Sequence, residues 1–419
     1  METLKKINRV LNTIRNVIFS LAMIALLSGV TIYILRYKEV QLVSQIEKRN
    51  LYTFEDIARQ SFLDGSFQDL LENATADQFI ERYTLVTYKK KMDQLTKTLF
   101  VPISDDDYIL NSIGDTGLYQ VGDSNYVILG LMQKEDRYIE RYREKIQQIN
   151  QLARDYPDVG IYVYKPIQAH ETNMFDEKNN MESYGRQYND LLKNELEVPY
   201  AELQINNVND YKRFFYAQDH HWNYEGSYQG YCDIIKLIFG SYDGILEPKT
   251  IETNNDQLQW AGTMGSRTGY ILDSEPFYYY TFDLPEYKVY INGEEQKVEN
   301  MNNVPEQLSY KTTQYYYDYL GANNHYWEEF VVEGSDKENL LIIGDSYASA
   351  VEPLLCNHFS HIYFIQPLNY YWTGGYGAFN IDAFIQEKGI QNILFMYTAE
   401  NYFLDDTSYY FNLFRNGVE

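Results

Sequence analysis

From Val17 to Leu35 the chain reads VIFSLAMIALLSGVTIYIL, without one charged side chain. At about 1.5 Å per helical residue this run spans the roughly 30 Å hydrocarbon layer of a bilayer, so it predicts a transmembrane helix. Lys5, Lys6, Arg9 and Arg15 precede it against the single acid Glu2, while Arg36 and Lys38 beyond it soon meet acidic residues. The heavier basic flank belongs in the cytoplasm. Residues 1–16 are then a cytoplasmic tail, 17–35 a single-pass anchor, and the rest of the chain lies outside the cell. A cleaved signal peptide would have a shorter apolar core and an A-x-A-like site, and neither is seen.

Past the anchor the periodicity changes. Val40, Leu42, Val43 and Ile46, then Phe54, Ile57, Phe62 and Phe67, recur at helical spacing and predict a helical stalk over 36–75, ahead of an extracytoplasmic domain at 76–419. Phe79, Leu85 and Leu95 carry helical spacing through 78–97, and VPISDDDYIL, GLYQVG and YVILG read as short strands with turns. A charged helix over Gln133–Ala153 leads to GIYVYKPI at 160–167, the unbroken apolar run of a buried parallel strand. Helices are expected over Met181–Glu195 and Tyr228–Phe239, the second with Ile234, Ile235, Ile238 and Phe239 toward a core. Residues 240–335, rich in Gly, Asn, Tyr and Pro, alternate instead and predict an insertion or lid of loops and antiparallel strands. NLLIIGDSY, HIYFIQPL and NILFMYT, separated by helix-length segments, close the chain as parallel βαβ units. The expected class is α/β.

Composition narrows the partners. With 45% hydrophobic and 23% charged residues the chain is a folded one. Its 60 acidic against 35 basic residues repel phosphate backbones, which excludes nucleic acid and favours a neutral glycan or a basic acceptor. Cys232 and Cys356 form no CxxC or Cys/His spacing, so they are expected as free thiols rather than redox or metal ligands. The 43 tyrosines, with runs at Tyr278–Tyr280 and Tyr315–Tyr317, suit a sugar-binding surface and equally a composition bias.

Candidate chemistry gathers at two places. Leu340–Ile343 reads as a buried strand, and Gly344, Asp345, Ser346 and Tyr347 follow at its carboxyl end, the edge where open α/β sheets bind ligands. A helix over 348–359 would aim free N–H groups and a positive dipole end at a developing oxyanion, although Pro353 kinks or loosens it. A helix-capping or phosphate-binding serine fits the same turn. A nucleophilic serine needs an imidazole base, and that imidazole needs an orienting carboxylate. Asp219 and His221, two apart, can point the same way, so that one ring nitrogen meets the carboxylate and the other faces Ser346. A purely structural Asp-His pair remains an alternative. So does a metal site of Asp219, His220 and His221 with His325.

GDSYA at 344–348 together with DHHWN at 219–223 resembles the DHHW protein family, relatives of the alginate O-acetyltransferases in the SGNH hydrolase-like superfamily. The likeness takes in AGTMGSRTG at 261–269 and YLGANNH at 319–325 and extends over most of 45–405. It implies a three-layer SGNH hydrolase-like fold around a parallel sheet. The Asp-His motif precedes the serine, as in the circularly permuted acetyltransferase branch. By that resemblance Ser346 is the nucleophile, His221 the base, Asp219 its orienting acid and His220 a variable position, with Trp222 packed beside the pair. No metal or other cofactor is implied. Oxyanion and substrate candidates are Asp345, Tyr347, Trp222, Asn369, the Gly374–Gly375 turn and the Ser346 N–H, with Arg267 as the cationic candidate.

The expected function is acyl transfer, acetyl in the first place, from a donor to a cell-surface polysaccharide through acyl-Ser346. Water as acceptor would make the chain a carbohydrate esterase. An idle triad would leave a glycan-binding or scaffold protein of the envelope. The resemblance also implies a multi-pass membrane O-acyltransferase as the supplier of acyl groups.

Overall fold

Alternation inside the apolar runs decides the architecture. Leu340 and Ile342 point into one core and Leu341 and Ile343 into another, as do Ile362 and Phe364 against Tyr363 and Ile365, and Leu394 and Met396 against Ile393 and Phe395. A strand with both faces apolar must lie inside a sheet covered on both sides. The computed structural model describes residues 15–21, 23–25, 28–29, 42–44, 49–55, 66–79, 82–100, 103–114, 116–249, 251–253, 259–269, 271–296, 327–366 and 379–403. Two compact units divide the chain, Met1–Asp93 and Gln94–Glu419, with the helix Arg82–Phe100 crossing the boundary.

In the first unit the expected stalk is not one continuous helix. Val43–Ser44 pairs antiparallel with Arg49–Asn50, and a helix follows over Ser66–Asp77. The Asp77 carboxylate accepts from the Tyr52 N–H at 2.9 Å, fastening the hairpin exit to the end of that helix. Among the described residues no helix is long and apolar enough to cross a membrane. Of the run 17–35, residues 22, 26–27 and 30–35 lie outside the described residues.

The second unit holds an eight-stranded mixed sheet: β1 (Gly160–Lys165), β2 (Tyr200–Glu202), β3 (Lys288–Ile291), β4 (Glu294–Gln296), β5 (Trp327–Val331), β6 (Asn339–Gly344), β7 (His361–Ile365) and β8 (Asn392–Met396). Across the sheet the order is β4-β3-β5-β7-β6-β8-β1-β2. From β7 to β2 every pairing is parallel, while β4, β3 and β5 run antiparallel. The sheet is therefore mixed rather than all parallel, and part of the segment read as an insertion is its antiparallel edge. Asn292 and Gly293, at φ 51° and 86°, make the two-residue turn between β3 and β4. Asn-Gly is the pair that such a left-handed hairpin turn prefers.

Helices cover both faces. On one side lie α1 (Asp136–Asp155) and α2 (Gly185–Glu195), through Tyr142, Ile146, Tyr188 and Leu192. On the other lies α3 (Tyr224–Phe239), through Tyr231, Ile234 and Ile235. The remaining helices that matter to the site are α4 (Thr263–Thr268), α5 (Ile381–Lys388) and α6 (Ala399–Phe403). A separate three-stranded antiparallel sheet joins Leu110–Ser112, Leu118–Val121 and Val127–Leu129. Cys232 and Cys356 are both free thiols. Many tyrosines are core residues: Tyr142, Tyr164, Tyr188 and Tyr231 are fully buried.

Trp222, also fully buried, lies against α3, where a Cβ on Gly230 would meet its ring at 2.6 Å or less. A helical Gly→Ala change ordinarily gains up to about 1 kcal/mol. Overpacking of about 1–3 kcal/mol outweighs it here, so Gly230→Ala should lower the urea midpoint without changing the slope of the transition.

Candidate active site

Strand β6 delivers the serine. Gly344 is required because a Cβ there would stand 2.6 Å from the Met396 carbonyl oxygen. Asp345 then turns inward: its Oδ2 accepts from the Thr398 N–H at 2.8 Å, the Thr398 hydroxyl at 2.9 Å and the Asn401 amide at 2.6 Å, and its Oδ1 from the Tyr347 N–H at 3.2 Å. Burial raises this carboxyl above the usual aspartate range, and those donors pull it back. Asp345 thus ties the serine turn to the segment after β8. It accepts hydrogen bonds and offers none to an oxyanion.

The second half of the site is the loop before α3. Phe215 bridges Trp222, and the Asn223 N–H donates to the Phe214 carbonyl at 2.8 Å, closing the loop 215–222 at its neck. Asn223 caps α3 by accepting from the N–H groups of Glu225 and Gly226 at 2.9 and 3.0 Å. Inside the loop Asp219 Oδ1 accepts from the His221 N–H at 2.9 Å and lies 2.6 Å from His221 Nδ1. Its Oδ2 accepts from the Thr263 N–H at 2.6 Å, at the first residue of α4. Gly262 is fixed by the same contact, since a Cβ there would collide with the Asp219 carboxyl.

The two halves meet at one bond: His221 Nε2 lies 2.7 Å from Ser346 Oγ. The order is carboxylate, imidazole, hydroxyl, with Asp219 and His221 buried and Ser346 partly exposed. Burial works against the Asp219 charge, but His220, His221 and the Thr263 N–H outweigh it and hold the carboxyl well below its ordinary range. Nδ1 therefore carries the His221 proton toward Asp219, and Nε2 is left to accept from the serine. Partial burial, with His221 alongside, lowers the His220 ring from its ordinary range, although about a third of the side chain is open to solvent.

The remaining candidates divide. Tyr347 and Trp222 are interior and meet edge to face with centroids 5.3 Å apart, and the Tyr347 hydroxyl donates to the His220 carbonyl. They support the histidine loop from below rather than line a substrate surface. Arg267 is exposed at the end of α4 and donates to the Thr116 carbonyl at 3.1 Å. Asn369, Gly374, Gly375 and His325 lie outside the described residues. The expected helix 348–359 is a 3₁₀ turn, Ala348–Ala350, and a single α-turn, Glu352–Leu355, with Pro353 in its first turn. Such short pieces have little dipole. The Ser346 N–H finds no acceptor among the described residues.

Three residues not singled out in the sequence belong here. Glu275 accepts from the Ala217 N–H at 2.6 Å and steadies the approach to Asp219. His170, buried in the 3₁₀ turn Ala169–Glu171 that follows β1, lies 3.1 Å from Glu400 of α6. With His220, His170 lines a small cleft whose walls include Ile128, Phe215 and Met264. No local motif marks them, because they reach the site from three separate elements.

Solved structures share this arrangement of chain. Bacillus cereus PatB1, solved with a sulfonyl adduct, superposes with a TM-score of 0.52 at 17% identity, over 68% of this chain and 97% of that one. A DHHW family protein from Eubacterium siraeum gives 0.51 at 17% identity, over 70% and 94%. This chain has the fold of a DHHW family protein. The O-acetyltransferase domain of Pseudomonas putida AlgJ is also a neighbour, with a TM-score of 0.39 at 10% identity, over 69% and 93%. No protein-family model matches the sequence, and no curated protein matches it.

Two outcomes test the supports. Asp345→Asn turns an amide toward the Thr398 and Asn401 donors and should slow ester turnover roughly 10–100-fold, about 1.4–2.8 kcal/mol of barrier, in a protein that still folds by circular dichroism. Burial first, and the Asp219 charge second, raise Glu275 to about 8 from 4.5. The folded state therefore holds that proton more tightly, its stabilising effect is complete below pH 4.5, and stability should decline as pH climbs toward 8. Glu275→Gln should flatten that decline in thermal melts.

Proposed function

We propose that this chain is an extracytoplasmic serine acyltransferase, held at the membrane by residues 17–35, that transfers an acetyl group to a hydroxyl of a cell-surface polysaccharide. The observation that carries the reading is the continuous chain from Asp219 through His221 to Ser346, at 2.6 and 2.7 Å. In the first step Ser346 Oγ attacks the donor's acyl carbonyl as His221 Nε2 takes the hydroxyl proton. Asp219 stays ionised and steadies the imidazolium. The proton passes to the leaving group, and acyl-Ser346 remains. In the second step an acceptor hydroxyl loses its proton to Nε2 and attacks the ester, which regenerates Ser346.

The shared fold with PatB1 and the DHHW protein supports the reading, as does the acidic surface of a chain with net charge -25, which suits an uncharged acceptor. The donor is taken to be a membrane O-acyltransferase that exports acyl groups, with the anchor keeping the domain within its reach. Water in the acceptor's place would make the same site an esterase.

Incubation of the full chain in detergent with p-nitrophenyl acetate, followed by intact mass, tests the first step. Wild type should gain roughly 42 Da, one acetyl, while Ser346→Ala gains none and His221→Ala acylates at least about 10²-fold more slowly. A sulfonyl fluoride should label wild type and spare Ser346→Ala. A folded wild type that takes up neither group refutes the nucleophile and leaves the scaffold reading.

A further inference from the structure

Asp219, His220 and His221 are consecutive, yet the loop turns so that each presents one ligand atom, with all three atoms within 4.8 Å of one another. The hydrogen-bonded triad accounts for Asp219 and His221 and leaves out His220. His220 Nδ1 stands 3.7 Å from Asp219 Oδ1, too far for a hydrogen bond. It is close to the edge of about 3.4 Å between two ligands on a tetrahedral ion with bonds of about 2.1 Å, whereas Asp219 Oδ1 and His221 Nδ1, at 2.6 Å, must part by about 0.8 Å to share the ion. The histidine side chain is 32% exposed, against 2% for both Asp219 and His221, so this corner is reached from solvent through His220. A small cleft lined by His170 and His220 adjoins it.

From these contacts we propose that Asp219, His220 and His221 form a binding site for one divalent ion of the zinc class, and that its occupation switches the serine site off. A carboxylate oxygen and two imidazole nitrogens are a ligand set of this class, with water as the fourth ligand. The ion binds His221 through Nδ1, in place of the hydrogen bond to Asp219. The one proton of that neutral ring then resides on Nε2, carried there through solvent. Nε2 now donates toward Ser346 Oγ and cannot accept its proton. Metal and triad thus compete for the same imidazole, and no proton or charge is left unaccounted for on the ring.

Zinc titrated into the full chain against a chromophoric chelator at neutral pH reads the site directly. Wild type and Ser346→Ala should each bind one equivalent. His220→Ala and His220→Asn should bind at least about tenfold more weakly. His361→Ala, at the other exposed histidine-carboxylate pair, with Glu329, should bind as wild type does. Zinc should also arrest ester turnover by wild type, and a chelator should restore it. Absence of binding by wild type, unchanged affinity in both His220 variants, or loss of binding in His361→Ala overturns the proposal. The binding arm does not require turnover, so failure of the metal site and failure of acyl transfer are told apart.

Discussion

An ionised carboxylate taken out of water is the constraint around which the rest is arranged. Asp219 is 2% exposed, and a buried charge of that kind is tolerated only when its lone pairs are used. Three N–H donors come to it: the His221 amide, the His221 ring and the Thr263 amide. The first two require the loop 215–222 to turn back on itself. The third requires a glycine, Gly262, just before α4, with no side chain in the way. Trp222, placed by the same turn, needs the helical glycines of α3 to give it room. One charge therefore dictates loop shape, helix start and helix packing together.

Its counterpart on the sheet is Asp345, which solves a different problem. A serine leaving a strand would be free to swing. Four donors from Tyr347, Thr398 and Asn401 fix the residue before it. The two aspartates thus have different duties: Asp219 orients the His221 ring, and Asp345 fixes the turn that carries the Ser346 hydroxyl.

Much of this was legible in the residues. The four runs that became β1, β6, β7 and β8 were visible because both of their faces are apolar, and the Asp219-x-His221 spacing carries the geometry of a carboxylate folded back on its neighbour. The antiparallel edge was not legible as part of the same sheet. Its alternating strands look like any solvent-facing hairpin, and only the distant pairing of β5 with β7 assigns them, although Asn292-Gly293 announces the turn. The helix after Ser346 was overestimated because its apolar residues face the core from a 3₁₀ turn and a single helical turn, which a 3.6-residue periodicity cannot distinguish from one helix. The tyrosine runs suggested a surface: Tyr278 and Tyr280 are half-buried and Tyr315–Tyr317 lie outside the described residues, while it is other tyrosines, Tyr142, Tyr164, Tyr188 and Tyr231, that are interior. His170, Glu275 and Glu400 were invisible because tertiary contact alone brings them near.

The order of the parts along the chain has a consequence for biosynthesis. The loop that holds the base is made 125 residues before Ser346, and the clasp on Asp345 comes later still, at Thr398 and Asn401. A chain emerging from the ribosome can complete the histidine loop and α3 early, as domains tend to fold from the N-terminus. It has no positioned nucleophile until β8 has slid in between β6 and β1. The Ser346 hydroxyl is thus placed last, and a nascent or prematurely ended chain carries a formed Asp219–His221 pair with no hydroxyl beside it.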